Sequence, residues 1–73
     1  MIILTGPQIT SEQRGELDEV SAIIDARLTC SPDVDWVSVT ALYTLKGWEA
    51  CPLAVADVDI ATAVGLPVLP LHI

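Results

Sequence analysis

Basic residues are scarce in this sequence of 73 residues. It has three of them, Arg14, Arg27 and Lys46, against ten acidic residues, and its net charge is −7. Because the three are scattered, the chain lacks the basic patch that binding to nucleic-acid phosphates requires. The acidic excess fits two alternatives: a solvated surface that keeps the chain in solution, or a surface that mimics DNA or docks on a basic protein. We expect no nucleic-acid ligand.

Long hydrophobic runs are also lacking, and we expect no secretion leader. The apolar residues 1–4 are too few for the core of a secretion signal, and Gly6-Pro7 follows almost at once. Asp57 and Asp59 interrupt the longest apolar stretch, so no run reaches the ~20 residues of a membrane-spanning helix. We therefore expect a cytoplasmic protein that does not associate with membranes.

Cysteine and histidine are too few for a metal centre. Cys30, Cys51 and the penultimate His72 are the residues of these types, and their spacing is not that of a zinc site. Without a secretion signal, the two thiols are expected to stay reduced. We expect neither a metal nor another cofactor.

Apolar residues are abundant, at 52% of the chain. A chain of this length folds as one domain, residues 1–73, and buries only about 60% of the surface that it exposes when unfolded. Part of the apolar surface is therefore expected to need a partner. Composition alone thus indicates a homodimer or a complex with another protein.

The first half of the chain predicts a strand and then a helix. Residues 2–4 form a short apolar run that Gly6-Pro7 ends, which is typical of a buried strand and a turn. Thr10 and Gln13 have the spacing of a capping box, and apolar residues then recur at helical spacing to residue 28. These patterns predict a helix over about 11–28, followed by a loop over 29–35.

The second half predicts a strand, a helix and a strand. Residues 36–45 alternate between apolar and polar and are rich in β-branched side chains, as in a strand. Pro52 suits the first turn of a helix over 52–64, and Gly65 suits its end. Residues 66–71 contain two prolines, which would place a last strand at a sheet edge.

The order β-α-β-α-β predicts an α/β fold with a minimal three-stranded parallel sheet of the flavodoxin or Rossmann type. If the strands lie in the order 1-2-3, right-handed crossovers place both helices on the same face. The other face, carrying residues such as Val37, Val39 and Tyr43, would then be bare, although parallel sheets have both faces covered. This arrangement predicts a homodimer or a host protein on the bare face.

Two predicted loops follow strands and precede helices, residues 5–8 and 46–49. Ligands of parallel α/β folds bind at such loops, where glycine lets the backbone approach and a helix N-terminus favours anions. The candidate ligand-binding residues from these loops are Gly6, Pro7, Gly47, Trp48 and Glu49. Trp48 suits either a hydrophobic plug under its loop or a stacking surface for a nucleobase.

Asp57 is a carboxylate within an apolar stretch. Its helical neighbours three and four positions away are all apolar: Leu53, Ala54, Ile60 and Ala61. Such a carboxylate faces either a cleft or the solvent. Asp59 has similar neighbours and is expected to face the solvent.

A family resemblance bears on Asp57. The pattern G-W-E-x(4)-A-x-x-D-x-x-x-A-x-x-x-G-L-P-V, from Gly47 to Val68, resembles the C-terminal signature of a phage-associated domain family of unknown function. That family belongs to the nucleoside 2-deoxyribosyltransferase-like superfamily. The segment Leu4-Thr5-Gly6-Pro7 resembles the family's first strand and the S-G-P that follows it. The two motifs cover about half of the chain.

The resemblance implies roles for two residues, a ligand and a cellular location. Asp57 occupies the position of the family's glutamate, the carboxylate that attacks the anomeric carbon of a deoxyribose in the superfamily's enzymes. Cys51 occupies the position of a family serine whose small polar side chain resembles one that binds a phosphate or a sugar. The implied ligand is a nucleotide, and the implied location is the host-cell cytoplasm.

The chain also departs from the family pattern. Aspartate is one methylene shorter than glutamate, and Leu53 replaces a glycine and is expected to crowd the site. Only the loop over 29–35 stands where family members have another strand and helix. We therefore expect a truncated, non-catalytic relative that binds a nucleotide. The alternatives are an active N-glycosidic hydrolase or transferase, and a small acidic phage protein that binds and inhibits a host protein.

Overall fold

The computed structural model describes residues 1–29 and 34–71. The elements in chain order are β1 (Ile2–Thr5), α1 (Ser11–Ile24), β2 (Arg27–Leu28), β3 (Ala41–Thr44), a 3-10 turn (Trp48–Ala50), α2 (Pro52–Ala63) and β4 (Val68–Pro70). The strands are parallel and lie in the spatial order β2-β1-β3-β4. The predicted α/β fold with a parallel sheet is confirmed, with four strands instead of three.

Helix α1 begins at the predicted capping box. The Gln13 N–H donates to Thr10 Oγ1 at 3.1 Å, and the Thr10 N–H donates to Gln13 Oε1 at 3.1 Å. The helix ends at Ile24 instead of residue 28, because Asp25 adopts the left-handed conformation (φ 54°) and the Ala26 N–H donates to the Ser21 carbonyl. The chain leaves this turn as β2, a short strand that the sequence did not predict.

The strand predicted over 36–45 is confirmed at Ala41–Thr44 only. Asp35 folds the preceding residues into a turn: the Val37 N–H donates to its Oδ1 at 3.1 Å, and the Ser38 N–H donates to its backbone carbonyl at 3.0 Å. Aspartate favours such turns because its side chain bonds to the backbone two residues later. Val37 is consequently 94% exposed.

In the second half of the fold, the ends of α2 and the position of β4 agree with the residues that predicted them. Helix α2 begins with Pro52 in its first turn, and Gly65 lies just past its end with φ 79°. Strand β4 pairs with β3 and forms one edge of the sheet, as its prolines predicted. Among residues 1–29 and 34–71, no helix combines the length and the apolar character of a membrane span.

Helices α1 and α2 pack on opposite faces of the sheet. Successive side chains of a strand point to opposite faces. Accordingly Ile3 packs in one cluster with Ala61 of α2, and Leu4 packs in another with Leu17 of α1. The connection from β1 to β2 and that from β3 to β4 run in opposite directions across the sheet, so right-handed crossovers place the two helices on opposite sides.

The predicted bare sheet face is therefore wrong. Val39 is 5% exposed and lies in the cluster under α2, and Tyr43 packs against the cluster under α1. Trp36 likewise packs against the α2 cluster. The sheet face therefore gives no reason to expect a partner on it, and the homodimer or host partner stays a prediction.

The arrangement creates a topological switch point between β1 and β3. These strands are neighbours, but the chain leaves them toward opposite faces. The loops that follow them therefore meet at the carboxyl edge of the sheet, where doubly wound folds bind ligands.

Candidate functional site

Two threonines hold the carboxylate of Asp57 at the carboxyl edge of the sheet. Thr5 Oγ1 donates to Asp57 Oδ2 at 2.8 Å, and Thr29 Oγ1 donates to the same oxygen at 2.5 Å. Thr5 ends β1, and Thr29 directly follows β2. A carboxylate from α2 thus reaches the ends of two adjacent strands, where ligands of parallel α/β folds bind.

Small residues of α2 bring Asp57 to this position. Ala54 and Ala61 lie three residues before and four residues after it, on the same side of the helix, and both are fully buried. Their short side chains let α2 approach the sheet closely. Thr5 lies two residues after Ile3 in β1 and so faces α2, which places its hydroxyl within reach of the short aspartate side chain.

The other oxygen of Asp57, Oδ1, has no hydrogen-bond partner among residues 1–29 and 34–71. In the part of the chain that the structure describes, both hydrogen bonds go to Oδ2 and none reaches Oδ1. The threonines therefore fix the orientation of the carboxylate and leave one oxygen for a ligand. Such an oxygen can accept a hydrogen bond from a sugar hydroxyl, or it can act as a nucleophile.

The sequence also predicts the environment of two residues near Asp57 on α2. Asp59 is exposed, so the prediction that it faces the solvent is confirmed. Leu53 is 58% exposed one turn before Asp57. It does not lie between α2 and the sheet, so it leaves the space at the two threonines free.

Cys51 is the N-cap residue of α2 and is 2% exposed. Its burial opposes the thiolate, but the backbone N–H groups of Ala54, Gln8 and Leu53 together outweigh burial, so the pKa of the Cys51 thiol lies below its ordinary value. The charge of Asp57 acts in the opposite direction and raises this pKa. No N-cap hydrogen bond joins the thiol to the helix, so the N–H groups act mainly through their electrostatic field.

We expect the thiol of Cys51 to ionise at a lower pH in the folded protein than in the unfolded chain. Thiolate ultraviolet absorbance measured against pH, with Cys30→Ser so that one thiol remains, checks this; the same variant in urea is the control. The depressed pKa implies that the free energy of unfolding rises with pH between the folded and unfolded pKa values. A folded-state midpoint at or above that in urea would contradict the expectation.

Gly47, Trp48 and Glu49 line a cleft of about 620 Å³ at the carboxyl ends of β3 and β4. The other lining residues are Thr44, Lys46, Pro70 and Leu71. The structure thus brings together three of the residues that the sequence singled out. Asp57 does not line this cleft and forms a separate cluster with Thr5 and Thr29.

Pro7 meets the other loop at a second, smaller cleft of about 380 Å³. A Cβ atom on Gly47, which has φ 92°, would lie 3.3 Å from Pro7 Cγ. The two predicted βα loops therefore touch at the switch point. Gln13 and Glu16 of α1 also line this cleft.

Gly6 is buried below the two loops, and packing accounts for its lack of a side chain. A Cβ atom there would lie 2.7 Å from Leu45 Cβ and 3.2 Å from Leu17 Cδ1. Such approaches force the backbone to move, because Leu45 Cβ is attached directly to the main chain. Gly6 therefore allows a close contact between the ends of β1 and β3, and its expected ligand-binding role stays a prediction.

We expect Gly6→Ala to lower the free energy of unfolding by roughly 1–3 kcal/mol through overpacking. Gly15→Ala is the matched control: no atom lies within 4 Å of its added methyl group, and alanine in a helix is favoured over glycine by about 1 kcal/mol. Urea unfolding of both variants measures the difference. Equal stabilities for the two variants would contradict the packing role of Gly6.

Comparisons with models of protein families, with curated proteins and with solved structures found no match to this chain. Within residues 1–29 and 34–71, no group of three or more histidine, cysteine, aspartate or glutamate side chains is placed to hold a metal ion. The candidate site is therefore described by its own geometry: a carboxylate anchored by two threonines, with an aromatic-lined cleft nearby.

Proposed function

We propose that the protein binds a nucleoside or nucleotide at the carboxyl edge of its sheet, with Asp57 contacting the sugar. In this proposal the chain is a shortened relative of the phage-associated, nucleoside 2-deoxyribosyltransferase-like proteins that its motifs resemble. The observation that carries the proposal is the carboxylate of Asp57, which Thr5 and Thr29 hold through Oδ2 and whose Oδ1 has no partner in the described part of the chain.

The chemistry of this cluster suits a sugar. Sugar hydroxyls are donors, and an anchored carboxylate oxygen accepts from them with a charge-assisted hydrogen bond. The overall charge of −7 repels polyphosphates at long range. Nucleosides and nucleoside monophosphates are therefore the ligands that fit best.

N-glycosidic cleavage is a second candidate, and the open Oδ1 favours it. In that reaction Oδ1 attacks the anomeric carbon, the bond to the base breaks, and the base leaves with the electron pair and takes up a proton. Water then hydrolyses the glycosyl ester and regenerates the carboxylate. The shorter reach of aspartate opposes fast turnover, since misplacing a nucleophile by ~1 Å costs about 100-fold.

Protein binding is a third candidate, favoured by an exposed apolar row on α2. Leu53, Ile60 and Val64 are 58%, 45% and 57% exposed, and their spacing of seven and four residues places them on one side of the helix. A second copy of the chain or a host protein would cover this row.

Light scattering at micromolar concentration tests the homodimer. We expect a dimer mass that Ile60→Asp reduces to the monomer. Val37→Asp is the control, because Val37 is 94% exposed and lies in a turn outside α2. A monomer mass for the unmodified protein would exclude the homodimer and leave only a foreign partner.

Titration with deoxynucleosides and their 5′-monophosphates tests the leading proposal. Calorimetry measures binding, and chromatography of the same mixtures measures released base. We expect saturable binding, and base release would add the catalytic role. A chain that neither binds these ligands nor releases base would overturn both proposals at this site.

A further inference from the structure

We infer that the cleft at the ends of β3 and β4 is a recognition site for a planar nitrogen heterocycle, a nucleobase, with Trp48 as its stacking surface and Thr44 at its floor. This inference deepens the proposed function and rests on it for the class of ligand. It assigns the base to a subsite separate from Asp57, which contacts the sugar.

The first observation is the hydroxyl of Thr44, unpaired among the described residues on a residue that is otherwise buried. Thr44 is 3% exposed, yet its hydroxyl makes no hydrogen bond within residues 1–29 and 34–71. In the same part of the chain, no side-chain oxygen or nitrogen that is shielded from solvent lacks a partner. The hydroxyl must therefore reach solvent, and the cleft that Thr44 lines is the opening available to it. Because this hydroxyl reaches the cleft without a partner among the described residues, it is available to a ligand.

The indole of Trp48 is the second observation. It is half-buried on the wall of the cleft, and its N–H has no hydrogen-bond partner among the described residues. Because no shielded side-chain nitrogen among the described residues lacks a partner, this N–H reaches the solvent and can donate to a ligand. An aromatic face beside an unused donor suits a base, because every base has a face that stacks and an edge that accepts.

The third observation is that two residues of opposite charge, Lys46 and Glu49, line the cleft. Lys46 supplies donors and Glu49 supplies acceptors, and neither forms an ion pair within the described part of the chain. A ligand whose edge carries both donors and acceptors can use both residues, which a plain aromatic ring cannot. The cleft volume of about 620 Å³ also lies within the usual range for small-molecule sites, about 300–1,000 Å³.

The floor of the cleft is one strand away from the anchor of Asp57. Thr44 and Thr5 are register partners on β3 and β1, and neighbouring strands lie about 4.8 Å apart. Both threonines face α2, because they lie two residues after Leu42 and Ile3, which pack in the cluster under that helix. A base on Trp48 and a sugar at Asp57 can therefore belong to one nucleoside.

Fluorescence titration tests the cleft. Trp36→Phe leaves Trp48 as the single tryptophan reporter. We expect adenine to change this fluorescence and to bind about tenfold more tightly than benzimidazole, which is planar but lacks the amino group. No response of Trp48 to adenine, or equal affinities for the two compounds, would overturn the inference.

Thr44→Val and Glu49→Gln, each made in the Trp36→Phe protein, should weaken adenine binding about tenfold. Asp57→Ala should leave adenine affinity unchanged, because adenine has no sugar. Suppose that Thr44→Val and Glu49→Gln weaken adenine binding as expected, but Asp57→Ala leaves the affinity for deoxyadenosine unchanged as well. The cleft assignment then stands, and the sugar-binding role of Asp57 fails. If Asp57→Ala abolishes deoxyadenosine binding while Thr44→Val changes nothing, the cleft assignment fails and the proposed function stands.

Discussion

Asp57→Ala is expected to weaken deoxyadenosine binding about 10- to 100-fold. Oδ1, which has no partner among the described residues, would accept a hydrogen bond from the sugar, and hydrogen bonds to charged groups contribute about 1.5–3 kcal/mol. If the unmodified protein releases base, the same variant should lose that activity, because no other carboxylate in the described part of the chain bonds to the ends of β1 and β2. Calorimetric titration and base-release assays measure the two effects.

Asp59→Ala is the matched control for this prediction. Asp59 lies two residues further along α2 and is exposed, so its removal changes the net charge equally without touching the candidate site. We expect its affinity to equal that of the unmodified protein. Similar losses in both variants would show that overall charge, and not the anchored carboxylate, governs binding.

Thr5→Val and Thr44→Val are expected to differ strongly in stability. Both threonines are buried, 0% and 3% exposed, and they are register partners on neighbouring strands and point to the same face of the sheet. Thr5 donates a hydrogen bond to the Asp57 carboxylate, whereas the Thr44 hydroxyl has no partner in the described residues. The first substitution should therefore lower the free energy of unfolding by about 1.5–3 kcal/mol, and the second should change it by less than about 0.5 kcal/mol.

Urea unfolding with a common m-value measures this difference. The substitution is the same in both variants, so propensity and volume effects largely cancel. Equal destabilisation by the two variants would contradict the assigned pairing of the hydroxyls. Unchanged stability of Thr5→Val would mean that the anchor orients Asp57 without stabilising the fold.

Local signals in the sequence predicted α2 and both of its ends. Pro52 and Gly65 act through their own backbone conformations, which depend little on the rest of the fold. The capping box of Thr10 and Gln13 is equally local. Such features can be predicted without knowing which strands pair.

Strand β2 could not be predicted in the same way. It has two residues, too few for a periodic pattern, and it follows a left-handed turn at Asp25 where no glycine signals the helix end. Its position beside β1 reverses the direction of the first crossover and so moves α1 to the face opposite α2. The error in the predicted bare face follows from this single omission.

In the candidate site too, the sequence predicted what depends on local neighbours and missed what depends on strand pairing. Asp57 stood out as a carboxylate among apolar neighbours, which is visible in the sequence. Thr29 did not, because its role depends on the pairing of β2 with β1. For Thr44, alternation predicts burial but cannot show whether a buried hydroxyl has a partner.

An amide chemical-shift titration of the isotope-labelled protein with deoxyadenosine is the most direct test of the central claim, that a nucleoside binds at the anchored carboxylate of Asp57. We expect saturable shifts that are largest at the backbone amides of Thr5, Thr29 and Asp57. A folded protein whose spectrum stays unchanged at saturating ligand, or whose shifts lie away from these three residues, would contradict it.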